Sequence, residues 1–272
     1  MNPLRFLELE WRKYLPSGAF RVIAALYAGS FILILFLAHQ ICHHMMVNGA
    51  ARLAGVFAYP HNWELLAYLG SWLNMFLLGF LGALTVTIEF SNRTLRQSII
   101  FGMTRLEVAV SKLVWALALA LAVTGFYILL GIVQEALDGA KLGLPPASCV
   151  GCFFTQALGY LMLGNLAGLL IRKTPLAEMA YLAYVLILET VGRWIFYYTV
   201  AKTDLLLYLP NQVLGALTPF PFAEKISQVV QSTVQSAATK DSLSLSEAGF
   251  AALAYLCLFA ALFCWRILKS DL

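Results

Sequence analysis

Charge is scarce in this chain of 272 residues. Asp, Glu, Lys and Arg make up only 12% of it, about half of the roughly 25% usual for a soluble domain. Apolar residues reach 61%, against about 45–50%, and a soluble fold of this length cannot hide that much apolar surface. Basic clusters are also missing. Eighteen Lys and Arg against fourteen Asp and Glu leave a net charge of only +4, and the basic residues are scattered, which excludes a nucleic-acid binder. Five cysteines (42, 149, 152, 257 and 264) are an odd number, mostly inside apolar runs, so they form no disulfide framework. No H-E-x-x-H occurs, and no G-x4-G-K-[ST] loop that would cradle a nucleotide's phosphates. The start, MNPLRFLELEWRKYLPSGAFR, alternates apolar and charged residues. A secretory signal has a basic start followed at once by an apolar run, so none is expected here.

What is present is long hydrophobic runs. Six stretches suffice to cross about 30 Å of hydrocarbon as helices of ~20 residues: 20–41, 65–88, 108–134, 150–171, 176–198 and 248–267. They predict an all-α integral membrane protein, with residues 1–272 forming a single transmembrane domain. Ahead of the first span, within 1–16, Leu4, Leu7, Trp11 and Leu15 recur at helical spacing, with Glu8, Arg12 and Lys13 elsewhere. This pattern reads as an amphipathic helix lying in the interface. Pro16–Gly18 then breaks it.

The basic residues set the orientation. With the N-terminus cytoplasmic, the inner segments carry twelve Lys and Arg and the longer outer segments five, while Arg193 lies inside a span. This positive-inside bias predicts both termini cytoplasmic. The loop 199–247 is then outer. Its first part is apolar and Pro-punctuated, like short helices at the membrane surface, and its second part is rich in Ser and Gln. No internal repeat is visible, which counts against folds built from inverted repeats.

The cytoplasmic segment 89–112 is unusually charged for this chain, with Glu89, Arg93, Arg96, Arg105, Glu107 and Lys112. Leu95, Ile99, Ile100, Met103 and Leu106 recur in it at helical spacing, and Gly102 interrupts it. A bare linker needs no such pattern. An apolar ridge with a basic rim suits docking of a soluble partner. The plainer reading is that the arginines only enforce topology and meet lipid headgroups.

Glu89, Thr94, Arg96, Gln97, Gly102, Arg105 and Lys112 resemble the E-x4-T-x-R-Q-x4-G-x2-R-x6-K signature of ABC-2-type transporter permeases. The string EFSNRTLRQ is similar to permeases common in the Bacteroidetes. Tyr208-Leu209-Pro210 and Ala216-Leu217-Thr218-Pro219 extend the resemblance to the outer loop. Arg93 departs from it, standing where many relatives have Gly.

The resemblance implies the membrane half of an ATP-driven exporter in a bacterial inner membrane. Two permease chains pair, as a homodimer or with a similar chain, above two copies of a separate ATP-binding subunit. ATP and magnesium belong to that subunit, and no cofactor is expected in this chain. A coupling helix within 89–112 would dock on the ATPase, with Glu89, Thr94, Arg96, Gln97, Gly102, Arg105, Glu107 and Lys112 carrying the contact. Short re-entrant helices before the last span would cap the exit. The missing phosphate loop fits this division of labour. Rival readings are an ion-coupled carrier or channel without an ATPase, an intramembrane enzyme, and a permease-like scaffold or immunity protein that moves nothing.

Other residues admit both a site and a packing role. Asn74, Glu189 and Arg193 are candidate pathway residues. Glu189 and Arg193 stand at i, i+4 and suit a local ion pair, although ionisable groups within a span often face a cavity. His39, His43 and His44, with His61 and Glu64, read as interfacial residues rather than a metal site, which takes three or four ligands. Cys149-Val-Gly-Cys152 is one CxxC at the outer start of span four. It lacks the second pair zinc would need and can close a local disulfide on an oxidising side. Gln156 and Asn165 can join helices by hydrogen bonds. Gly79, Gly82, Gly159, Gly164 and Gly168 permit close helix approach. Trp63, Trp72, Trp194, Tyr197 and Tyr198 suit interface belts.

Overall fold

A computed structural model describes residues 3–47, 61–137, 143–199, 204–221 and 243–269. Side chains of His43, His44, Trp194, Tyr197 and Tyr198, and the Ser- and Gln-rich part of the long loop, lie outside the described set. Among the described residues every regular element is helical. In chain order these are α1 (Pro3–Tyr14), α2 (Gly18–Val47), α3 (His61–Ser91), α4 (Thr94–Ile100), α5 (Arg105–Leu137), α6 (Ala147–Ile171), α7 (Thr174–Val191), α8 (Gly192–Thr199), a short 3-10 helix (Asp204–Tyr208), α9 (Pro210–Ala216) and α10 (Leu245–Lys269). Helices α2, α3, α5, α6, α7 and α10 are long and apolar enough to cross a membrane. The protein is a multi-pass helical membrane protein, and each of the six expected spans overlaps one of these helices.

Local chemistry sets the boundaries. Pro145 and Pro146 precede α6, and Pro175 and Pro210 occupy the first turns of α7 and α9, where a missing N–H costs nothing. Helix α6 stops where Arg172 turns left-handed at φ 60°. Two helices open with a capping box. Thr104 and Glu107 exchange backbone-to-side-chain bonds at α5, and Ser244 and Glu247 do so at α10.

The centre of the bundle is the packing of α3 on α6. A Cβ on Gly164 would fall 2.1 Å from the carbonyl oxygen of Gly79, and one on Gly82 would fall 2.4 Å from that of Leu161. A Cβ on Gly168 would meet the oxygen of Ala83 at 2.6 Å. These glycines let two backbones touch, as the small-residue pattern suggested. Beside them lies an aromatic core in which Tyr127 stacks on Phe153 at 4.4 Å. Trp63 belongs to this core rather than to an interface belt. It is fully buried, and its Nε1 donates to Glu135 at 2.7 Å. Trp72 is half exposed.

Of the apolar stripe expected near α1, Leu7 is half-buried, while Trp11 and Leu15 are 52% and 43% exposed, Trp11 meeting the buried Trp115 edge-on at 6.3 Å. The stripe facing the bundle is Phe6, Glu10 and Tyr14, all buried. An acid in that stripe is what positions the site below.

Candidate functional site

One end of the molecule gathers α1, the end of α3, α4, the start of α5 and the end of α10. It is called the basal end here. Its centre is a buried charge cluster. Lys112 of α5 donates from Nζ to Glu10 of α1, to Glu89 of α3 at 2.5 Å, and to the Tyr14 hydroxyl at 2.6 Å. Lys13 donates to the same carboxylates, to Glu89 at 3.0 Å and to Glu10 at 3.2 Å. Ser111 donates to Glu10 at 3.3 Å, and Tyr14 donates to the Thr85 carbonyl at 2.7 Å. Glu10, Glu89 and Lys112 are each at most 3% exposed. Two carboxylates and two ammonium groups sum to zero, the condition under which charges tolerate burial.

The titrations follow from these contacts. Burial pushes the Glu10 carboxyl up, but the Lys112 and Lys13 charges outweigh it and hold it below the usual carboxylate range. Burial pushes Lys13 down, yet Glu89 and Glu10 win and hold it above the usual lysine range. Tyr14 lies well above the usual phenol range, from burial first and the two carboxylates second.

This cluster carries a short projecting hairpin. After Ser91 the chain turns through Arg93, left-handed at φ 55°, and enters α4. Leu95 points inward and is buried, which anchors the helix. Ile100 and Phe101 at its far end are 80% and 86% exposed. Gly102, at φ +95°, provides the left-handed turn that ends such helices, and α5 follows. The expected ridge therefore divides. Leu95 packs inside, Ile99 and Met103 are half-buried, and Ile100 and Leu106 are exposed. Phe101, which helical spacing did not select, is the most prominent apolar side chain of the hairpin.

The eight residues expected at a coupling contact separate by place. Arg96 and Gln97 are exposed on α4, and Gly102 forms the tip. Glu89 and Lys112 are buried in the charge cluster. Glu107 caps α5. Thr94 opens α4, and its carbonyl accepts from Ser98 at 2.9 Å. Arg105 reaches the far end of the chain and donates to the Leu268 carbonyl at 2.9 Å, where a cation suits a helix C-terminus.

At the other, distal end the polar groups are mostly neutral. Tyr27 donates to Asn74 at 2.7 Å, and Asn74 to Gln156 at 3.4 Å. Gln156 donates at 2.9 Å to both the Leu214 carbonyl and the Thr218 hydroxyl. Tyr160 donates to Asn211 at 2.9 Å. Asn74 opens a π-helical stretch, Asn74–Leu78, and Glu189 lies in another, Ala183–Val191. Such irregularities are frequent at functional sites.

Glu189 and Arg193 do not form the direct pair that their spacing suggested. The π-helical stretch changes their angular register, and Gln212 stands between them. Its backbone N–H donates to Glu189 Oε1 at 2.9 Å, and its side chain accepts from Arg193 at 2.5 Å. Glu189 is 2% exposed, and its Oε2 has no hydrogen-bond partner. Nor is it the chain's only buried distal acid. Glu135, 1% exposed, accepts from Asn62, Trp63 and the Gly143 N–H. The approach of these distant donors to Glu135 carries no local sequence signal.

A partly open cavity of ≈ 670 Å³ lies at the distal end. His61 and Glu64 of α3, Cys149 and Cys152 of α6, and the segments 216–221 and 243–245 line it. His61 and Glu64 pair at 3.0 Å. Among the described residues no three His, Cys, Asp or Glu side chains are placed to hold a metal ion.

The fold thus defines a multi-pass helical membrane protein, with six helices long and apolar enough to cross a membrane, a hairpin beside a buried charge cluster at one end and a cavity at the other. Comparison with protein-family models and with curated proteins finds no match for this chain.

Proposed function

We propose that this chain is the membrane-spanning permease subunit of an ATP-driven ABC exporter. It sits in a bacterial inner membrane with the basal end in the cytoplasm. The hairpin around α4 docks on a separate ATPase subunit. The observation that supports this reading is the hairpin itself. Ile100 and Phe101 are almost fully exposed, rimmed by Arg93 and Arg96, on a mount fixed by the Glu10–Lys112–Glu89 cluster. Large apolar side chains this exposed at the end of a bundle mark a surface for a protein or for the membrane interface, and the basic rim and the resemblance to a coupling helix favour a protein.

Two permease chains, pairing as a homodimer, enclose a pathway between them, and each engages one ATPase. Closure of the ATPases around ATP and magnesium pulls on the two hairpins. The buried charges make each hairpin one piece with α1, α3 and α5, so the pull biases the bundles between inward- and outward-facing states.

Purification in mild detergent tests the reading, with the co-purified material assayed for ATP hydrolysis. The parent chain retains a stoichiometric ATPase, and Phe101→Glu loses it while remaining folded in the membrane. An active chain that never carries an ATPase overturns the proposal. The rival with an observation of its own is an ion-coupled carrier. It draws on Glu189, whose Oε2 is buried without a partner, and on the default that intramembrane acids serve ion pathways. That reading expects transport without any ATPase and its loss in Glu189→Gln.

A further inference from the structure

The distal cavity brings together two residue pairs that the sequence keeps more than eighty positions apart. His61 and Glu64 occupy one wall, and Cys149 and Cys152 another. Four such side chains suggest a metal first. Yet no three of the described His, Cys, Asp or Glu side chains converge on one point, and His61 is already engaged with Glu64.

The two thiols meet a different requirement. Both are free, half-buried and borne by the first turns of α6, which begins at Ala147. Residues at i, i+3 on a helix have Cα atoms about 5 Å apart, inside the roughly 4.4–6.8 Å window that a disulfide spans. The cavity gives a small reagent access to both.

We propose that Cys149 and Cys152 form a reversible dithiol–disulfide site, served through the distal cavity by a thiol–disulfide exchanging reagent. One cysteine, as thiolate, attacks the reagent's disulfide. That forms a mixed disulfide and releases one reagent thiol. The other cysteine then attacks the mixed disulfide, closes the Cys149–Cys152 bond and releases the second thiol. Two protein thiols are oxidised, one reagent disulfide is reduced, and no other oxidant enters.

Closure acts on the cavity itself. Cys152 packs against the cluster containing Leu214, Leu217 and Leu243, and Leu217 and Leu243 also line the cavity. Drawing Cys152 toward Cys149 loosens that contact and shifts the wall formed by the segment after α9. The site does not depend on the transport reading. If the distal end faces the outer compartment, as the positive-inside bias implies, the surroundings are oxidising.

The test uses the full chain in detergent, with Cys42, Cys257 and Cys264 replaced by serine. It is equilibrated against reduced and oxidised glutathione, then labelled with a maleimide polymer. The expected result is joint loss of two reactive thiols per chain as the buffer becomes oxidising, both restored by dithiothreitol. Cys149→Ser and Cys152→Ser each retain one glutathione by mass instead of closing. The proposal is overturned if both thiols stay reactive in the most oxidising buffer. It is equally overturned if they are masked but a chelator, not a reductant, restores them, since that identifies a metal. The titration of the parent cysteine pair needs neither single variant to fold.

Discussion

The two ends of this molecule solve the problem of buried polarity differently. At the basal end, four formal charges meet in one paired cluster. Lys112 and Lys13 serve Glu10 and Glu89 across three helices, with Tyr14 and Ser111 closing the remaining contacts. At the distal end the buried acids meet neutral donors instead of cations, Glu135 the Asn62 and Trp63 side chains and Glu189 the Gln212 N–H, beside amide and hydroxyl contacts such as Gln156 on Leu214 and Tyr160 on Asn211. One buried acid there keeps an oxygen without a partner. A paired charge cluster is an all-or-none joint, because removing one member strands the others. A chain of neutral hydrogen bonds breaks link by link, each link worth only about 0.5–1.5 kcal/mol net. The contacts of the basal end therefore stand or fall together, whereas those around α9 can be lost one at a time.

The largest expected effect breaks the basal cluster. Lys112→Met leaves Glu10 and Glu89 buried with only Lys13 between them. Loss of one partner of a buried pair costs about 3–5 kcal/mol. Thermal unfolding in detergent should show this loss, and adding Glu89→Gln to the variant should recover part of it. A Lys112→Met chain as stable as the parent would mean the cluster is not a joint.

The matching change at the distal end is smaller and local. Gln156→Leu strands the Leu214 carbonyl and the Thr218 hydroxyl, at about 1–3 kcal/mol. Hydrogen exchange should quicken around α9 while the basal helices keep their protection. Equal quickening at both ends would dissolve the contrast between them.

Acid and base sharpen the comparison further, because the basal cluster holds a carboxyl shifted down beside an ammonium shifted up. Glu10 is depressed on folding, so its contribution is present above its unfolded value of about 4.5 and is lost as pH falls below that. Lys13 is raised, so its contribution is present below about 10.5 and is lost as pH climbs above that. Stability carried by the cluster should be flat between these limits and decline outside both. Lys112→Met should blunt the acid decline, because the Lys112 charge is the strongest of those that hold Glu10 down, and should leave the Lys13 decline in place, since Glu89 and Glu10 cause it.

How far the sequence could be read follows the same division. The six spans are legible because hydropathy is a property of consecutive residues. The Gly79, Gly82, Gly164 and Gly168 contact is legible because small residues recur on one face. Glu107 was expected at the docking contact, and its capping of α5 through Thr104 went unread. Glu10 was not legible either, since its partner Lys112 is 102 residues away and an acid beside Phe6 and Tyr14 reads as ordinary surface. Phe101 hides for the opposite reason: it falls outside the helical period that picks Leu95 and Ile99. Glu189 and Arg193 misled because i, i+4 places two residues together only on a regular α-helix, and a π-helical stretch intervenes. The cavity that joins His61 to Cys149 is a product of packing alone.

The smallest effect concerns the turn that launches the hairpin. Arg93 takes φ 55°, where a Cβ crowds the following carbonyl at about 1–2 kcal/mol. Glycine removes that strain but gains freedom in the unfolded chain worth about 0.4–1 kcal/mol. Arg93→Gly should therefore stabilise the protein by roughly 0.5 kcal/mol, while Arg93→Lys should leave stability unchanged. If the proposed docking on an ATPase holds and Arg93 contributes charge to it, the glycine variant becomes more stable yet binds that partner more weakly, and the lysine variant keeps both properties. A glycine variant less stable than the parent would show that the arginine side chain holds the turn by a contact stronger than the strain it imposes.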